Sequence, residues 1–199
     1  MRIRDATAQD LESIQQIYSF YVLNSLVTYE LDVPSVEEMT SRFASVRSKG
    51  FPYIVAVDED SNEIEGYAYV STFRERAGFN NTVENSIYVK HGVYRKGIGS
   101  RLLSCLIEKC STKRLRQIIA VISGGADTTD ASVAIHKKFG FEYKGILSAV
   151  GYKFDRWVDC MFYQLAIDDG DDSPSFKSNT KDDSTCQNIA TAQFEAPGS

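Results

Sequence analysis

Thr82-Val83-Glu84-Asn85-Ser86-Ile87-Tyr88-Val89-Lys90, then Tyr94-Arg95-Lys96-Gly97-Ile98-Gly99-Ser100, is the stretch that decides how this chain folds. The first segment is rich in β-branched and aromatic residues and predicts a strand over 82–90. The second opens a helix over 97–110, with Ile98, Leu102, Leu103, Leu106 and Ile107 apolar at helical spacing. Glycines at 97 and 99 remove the Cβ atoms that would keep a phosphate from the backbone. The N–H groups at a helix start have no intrahelical partner and lie at the positive end of the helix dipole. Arg95 and Lys96 add cationic charge beside them. The spacing fits neither a Walker loop nor the three-glycine dinucleotide fingerprint, so by itself it names no cofactor.

Outward from this stretch the chain alternates strands and helices. Arg2 to Arg4 predicts a first strand, and Thr7, three residues before Asp10, resembles a helix N-cap. Leu11, Ile14, Ile17, Tyr18 and Tyr21 follow at helical spacing. Pro34-Ser35 with Glu37-Glu38 opens a second helix carrying Met39, Phe43 and Val46 on one face, and Gly50 ends it. Strands are predicted over 53–58 and 63–73 around turn residues 58–62, and over 116–122. A helix is predicted over 129–139, then a closing strand pair over 141–150 and 157–165. The order predicts an α/β, or mixed α+β, architecture with one mixed sheet flanked by helices on both faces.

Composition bounds the function. Of the 199 residues 43% are hydrophobic and 25% charged, typical of a globular chain. The net charge of −5 comes entirely from residues 168–199, where seven acidic residues face only Lys177 and Lys181. That Asp-, Ser- and Thr-rich segment is expected to be a disordered acidic tail on a folded domain of residues 1–167. No basic footprint suggests nucleic acid, and no apolar run approaches the roughly 18 to 20 residues of a membrane helix. Cys105, Cys110, Cys160 and Cys186 fit no metal or disulfide spacing, so no metal is expected. The N-terminus lacks a secretory pattern, so a cytoplasmic location is expected.

The arrangement resembles the GNAT superfamily, and residues 2–166 are similar to its phosphinothricin and methionine sulfone-type N-acetyltransferases. The resemblance is carried by Ile3-Arg4-Asp5-Ala6-Thr7, by residues 82–89, by Lys96-Gly97-Ile98-Gly99-Ser100, and by Ile135-His136-Lys137-Lys138-Phe139-Gly140-Phe141. Residues 151–159, Gly-Tyr-Lys-Phe-Asp-Arg-Trp-Val-Asp, add a later signature. It implies a GNAT fold with a central twisted mixed sheet, acetyl-CoA as co-substrate, and a homodimer. It also implies that the backbone of Ile87, Tyr88 and Val89 pairs with the pantetheine arm. Tyr94, Arg95, Lys96, Gly97, Ile98, Gly99 and Ser100 would hold the pyrophosphate, with Thr129, Ser132 and Lys138 on the next helix also assigned to the cofactor. The chain departs from the family at Tyr94, where a Gln or Arg is usual, and at Thr129, where an Asn is usual.

Acetyl transfer to an amine that is protonated at neutral pH needs a base. Glu84, amid Val83, Ile87 and Val89, is the candidate, and the family's base-bearing triplet matches Thr82-Val83-Glu84. His136 is the second catalytic candidate, placed to exchange a proton with the leaving thiolate; His91 is expected to touch solvent or cofactor. A small amino-acid substrate presents a carboxylate, best held by Arg. The resemblance places Arg74 there, with Gly78 and Phe79 beside it and Arg76 as a solvated charge. Tyr29, Tyr152 and Lys153 are further pocket or rim candidates. The expected function is acetylation of a small-molecule amine; a peptide or protein N-acetyltransferase and a non-catalytic acyl-CoA-binding module are the alternatives.

Overall fold

A computed structural model of the chain describes residues 1–93, 96–124, 130–168 and 170; the expected acidic tail beyond these lies outside the described residues. The elements run β1 (Arg2–Asp5), α1 (Leu11–Asn24), α2 (Val36–Ser48), β2 (Tyr53–Val57), β3 (Ile64–Thr72) and β4 (Thr82–Val89). They continue with α3 (Ile98–Thr112), β5 (Gln117–Ser123), α4 (Asp130–Lys138), β6 (Glu142–Lys153) and β7 (Arg156–Ala166). The seven strands form one sheet in the order β1-β2-β3-β4-β5-β7-β6. Every neighbouring pair is antiparallel except β4 with β5, which is parallel because α3 crosses between them. The expected mixed sheet and element order are therefore observed.

Local chemistry explains the helix starts. The Asp10 carboxylate accepts the Thr7 backbone N–H at 2.8 Å and is gripped at both oxygens by Arg4 at 2.7 Å. That guanidinium holds the Asp10 carboxyl below its ordinary range. The Ser35 hydroxyl caps α2 by accepting from the Glu38 N–H. Two apolar layers sandwich the sheet. One joins α3 to the sheet through Ile98, Leu102, Leu103 and Leu106; the other joins α1 and α2 through Leu11, Ile14, Val22 and Met39. Each fully buried leucine of α3 contributes about 1.5–3 kcal/mol from apolar burial.

The sequence places the end of β6 at 150, and the structure carries it on to Lys153. A bulge between Leu147 and Gly151 interrupts the pattern: Ala149 takes a left-handed φ of 54°, and its N–H is held by the Asp159 carboxylate at 2.8 Å. Pairing resumes to Lys153↔Arg156 across a two-residue turn, Phe154-Asp155, with φ of 50° and 55°.

Candidate active site

Strands β4 and β5 pair only from Thr82↔Gln117 to Asn85↔Ala120. Beyond that point β4 continues to Val89 with β3 as its one strand partner, and β5 continues to Ser123 with β7 as its one strand partner; the Val89 carbonyl accepts from the Tyr21 hydroxyl at 2.5 Å. The two strands thus part, and the β4 backbone from Ser86 onward has no strand partner on the β5 side. A cavity of about 850 Å³ occupies this gap. It is lined from both faces of the sheet: Tyr18, Thr28, Tyr69 and Glu84 on the α1 and α2 side, Ile98, Ile135 and His136 on the α3 and α4 side. Gly97, Ile98, Gly99 and Ser100 line it where α3 begins. Gly97 caps α3 at a φ of 67°, and a side chain there would meet open space. The first turn closes with the Arg101 N–H on the Gly97 carbonyl, so the amides of 98–100 have no helical acceptor and are available to an anion. A phosphate-bearing, extended ligand therefore fits: strand-like pairing along β4 and amide donors at α3.

Glu84 is half-buried at the cavity wall. Burial raises its carboxyl above the ordinary range, and the nearby positive charge of Arg74 opposes that. A carboxylate with a raised pKa is a stronger base than a free one. His136 is 3% exposed. Its Nδ1 lies 2.7 Å from the Ser132 carbonyl and its Nε2 2.9 Å from the Asn85 amide nitrogen. Burial lowers the pKa of its imidazole, and the Ser132 carbonyl works in the opposite direction. A second polar cluster walls the cavity from the α1–α2 connection. The Lys153 ammonium donates to the Thr28 carbonyl at 2.9 Å, and the Tyr29 hydroxyl donates to the Asp159 carbonyl at 2.7 Å. Tyr18 and Thr28 share a hydrogen bond of 2.7 Å, and Glu30 is paired with Arg42.

Residues 3–162 match the acetyltransferase (GNAT) domain family. It belongs to that family. The GNAT chain is 35% identical over 169 residues to a phosphinothricin N-acetyltransferase of Alcaligenes faecalis, covering 85% of this chain and 84% of that enzyme. It is 36% identical over 166 residues to an L-methionine sulfoximine/L-methionine sulfone acetyltransferase of Pseudomonas aeruginosa, covering 83% and 94% respectively. The crystal structure of a GNAT superfamily phosphinothricin acetyltransferase from Sinorhizobium meliloti with acetyl-CoA superposes at a TM-score of 0.84. Identity to it is 43%, over 89% of this chain and 94% of that one. This GNAT protein is accordingly an enzyme of the acyltransferase class. Among its described residues, no helix is long and apolar enough to cross a membrane.

Within this acetyltransferase, Glu84, His136, Ile87, Tyr88, Val89, Lys96, Gly97, Ile98, Gly99, Ser100 and Ser132 all line the cavity. Tyr94, Arg95 and Thr129 lie outside the described residues. Of the described cations Lys96 and Lys138, only the first lines the cavity. Lys96 directs its ammonium at Glu65 (2.5 Å) and Asp58 (3.6 Å). Lys138 is exposed in the last turn of α4 and does not line the cavity, because two residues along a helix turn a side chain away from His136. Arg74, Gly78 and Phe79 do not line it either. The 3-10 turn Ala77–Phe79 is exposed, Phe79 packs edge-on against Phe73, and Arg74 lies over the Phe73 ring at 5.1 Å. Arg74 reaches the site through its charge on Glu84. His91 stacks on Phe20 with ring centroids 4.0 Å apart, and Tyr152 is exposed against Trp157. Sequence reasoning missed Asn85, Thr28 and Glu30. Asn85 had a signal: a polar residue between Val83 and Ile87 on the inward side of a strand.

Proposed function

We propose that this enzyme transfers the acetyl group of acetyl-CoA directly to the α-amine of a small amino acid or analogue of the phosphinothricin, methionine sulfone or methionine sulfoximine type. The carrying observation is the cavity in the β4–β5 gap, which sets a half-buried carboxylate, Glu84, beside the amide-lined start of α3. The activities named for the 35% and 36% identical relatives supply the substrate class. In this reading the unpaired edge of β4 holds the pantetheine arm, and the amides of 98–100 take the pyrophosphate. Glu84 removes a proton from the bound ammonium, the neutral amine forms the new C–N bond, and the C–S bond breaks. Arg74 steers the substrate carboxylate from the rim.

A homodimer belongs to the same reading. Edge strand β6 and its partner β7 expose Ile146, Leu147, Val150, Tyr152 and Trp157, a run of apolar side chains that a second copy would cover. The test of function is thiol release from acetyl-CoA with a panel of free amino-acid analogues and peptides. Turnover of the analogues, lost in Glu84→Gln with acetyl-CoA binding retained, is the expected result. Turnover of peptides alone, or an unchanged rate in Glu84→Gln, would overturn it.

A further inference from the structure

The two ring nitrogens of His136 have different neighbours, and this fixes its hydrogen. Nδ1 faces the Ser132 carbonyl oxygen at 2.7 Å, which can only accept, so Nδ1 carries the hydrogen. Nε2 faces the Asn85 amide nitrogen at 2.9 Å. A neutral imidazole with hydrogen on Nδ1 has a lone pair at Nε2, and the Asn85 N–H donates into it. In the imidazolium both nitrogens bear hydrogen, so Nε2–H and the Asn85 N–H would oppose each other. Relief requires the Asn85 amide to turn end for end. Asn85 is 6% exposed and its Oδ1 has no hydrogen-bond partner; turning it would strand the NH₂ group instead. Protonating His136 therefore costs both its burial and a rearrangement of a buried amide.

Among the described residues, no charge facing the ring offsets that cost. On α4 itself, Lys137 and Lys138 are exposed. On β4 the adjacent Glu84 faces the opposite side of the sheet. β5 presents Ile118, Ala120 and Ile122 to the same apolar layer, and Phe141 meets the ring edge-on at 4.8 Å. Among the described residues, burial and the Ser132 carbonyl bear on the titration of this imidazole. Position gives the pair its significance: Asn85↔Ala120 is the last rung before β4 and β5 part, so the bond ties α4 to the start of the gap.

We propose that Asn85 and His136 form a positioning pair in which His136 stays neutral, gives no proton to the leaving thiolate, and fixes the mouth of the β4–β5 gap against α4. This rests on the acetyl-transfer reading. The proton balance does not need an acid there. An ammonium loses two protons in becoming an amide: one leaves through Glu84, and the other neutralises the sulfur once the C–S bond has broken.

The chain has two histidines, so ¹⁵N spectra of its imidazoles can be assigned with His136→Gln alone. In wild-type protein the His136 ring is expected to show hydrogen on Nδ1, an unprotonated Nε2, and the neutral-imidazole pattern throughout the pH range in which the enzyme is active. His136→Leu and Asn85→Leu should raise KM for acetyl-CoA ~10-fold while leaving KM for the amine in place. His136→Gln, which restores an acceptor toward Asn85, should bring KM for acetyl-CoA back to within ~3-fold of wild type with the same pH profile. An imidazole titrating within the activity range, or a kcat loss of ~100-fold shared by the Gln and Leu variants while both bind acetyl-CoA, would overturn the proposal. Absence of thiol release by wild type with every amine would instead sink the acetyl-transfer reading; the imidazole spectrum still decides the state of His136.

Discussion

Glu84 and Asn85 are consecutive on β4 and face opposite sides of the sheet, yet both line one cavity. Strand alternation sends Glu84 with Ser86 and Tyr88 toward α1, and Asn85 with Val83 and Ile87 toward α3 and α4. A continuous sheet would separate the two faces completely. Here the β4–β5 ladder stops at Asn85, so ligand atoms in the gap can meet groups from both. The Glu84 carboxylate and the buried imidazole therefore border one cavity from opposite faces of the sheet.

Glu84→Gln should lower kcat by about 100-fold or more, read by thiol release. It should also raise the melting temperature at pH 7. Burial raises the folded carboxyl pKa, so protonation of Glu84 stabilises the fold below the unfolded value of about 4.3, and that stability is lost as pH rises through the folded value. At neutral pH the ionised form is a net cost, which glutamine removes. The stability difference should vanish by about pH 4, and a Gln variant that melts lower at pH 7 would contradict this.

Arg74→Gln should move the acid limb of the kcat/KM profile to higher pH. The guanidinium now holds the Glu84 carboxyl down against burial, and its loss leaves burial unopposed. KM for the amino-acid substrate should rise in the same variant if Arg74 steers its carboxylate. A limb that moves to lower pH would contradict the electrostatic assignment.

Gly97→Ala should cost about 1 kcal/mol of stability, because an L side chain resists the left-handed backbone at φ 67°. Any relaxation of that strain turns the amides of 98–100. KM for acetyl-CoA should rise about 10-fold in steady-state kinetics, with KM for the amine unchanged.

Gly151→Ala should disturb the opposite wall. An added Cβ would lie 2.5 Å from the Tyr29 ring, which spans the cavity rim to reach the Asp159 carbonyl. The ring must shift, at about 1–3 kcal/mol, and KM for the amine should rise while that for acetyl-CoA holds. Thermal melting and two-substrate kinetics check both halves.

Trp157→Lys should weaken self-association. Trp157 is 66% exposed and packs across the strand on exposed Tyr152, an apolar pair at the sheet edge. Sedimentation equilibrium should show a dimer for wild type and at least a 10-fold weaker one for the variant. A wild-type monomer would remove the homodimer from the proposal.

Much of this was legible before any coordinates. Helical spacing from Ile98 to Ile107 and strand composition from Thr82 to Val89 are local properties, so both elements emerged within a residue or two of their observed bounds. The glycines at 97 and 99 gave the helix start for the same reason. The ion pairs of Lys96 with Glu65 and Asp58 were not legible, because those partners lie more than thirty residues away in sequence. Lys153, which clasps the Thr28 carbonyl across 125 residues, was named only as a rim candidate for the same reason.

The sequence by itself determined the elements, their order and the mixed sheet, since these follow from short-range periodicity and side-chain chemistry; the choice of Glu84 as candidate base rested on the family resemblance as well. Only the tertiary structure decided where β4 parts from β5, which face each side chain meets, and what Asn85 does to His136. Those are contacts between distant segments, and a hydrogen-bond partner is set by which strands and helices finally pack together, not by spacing along the chain.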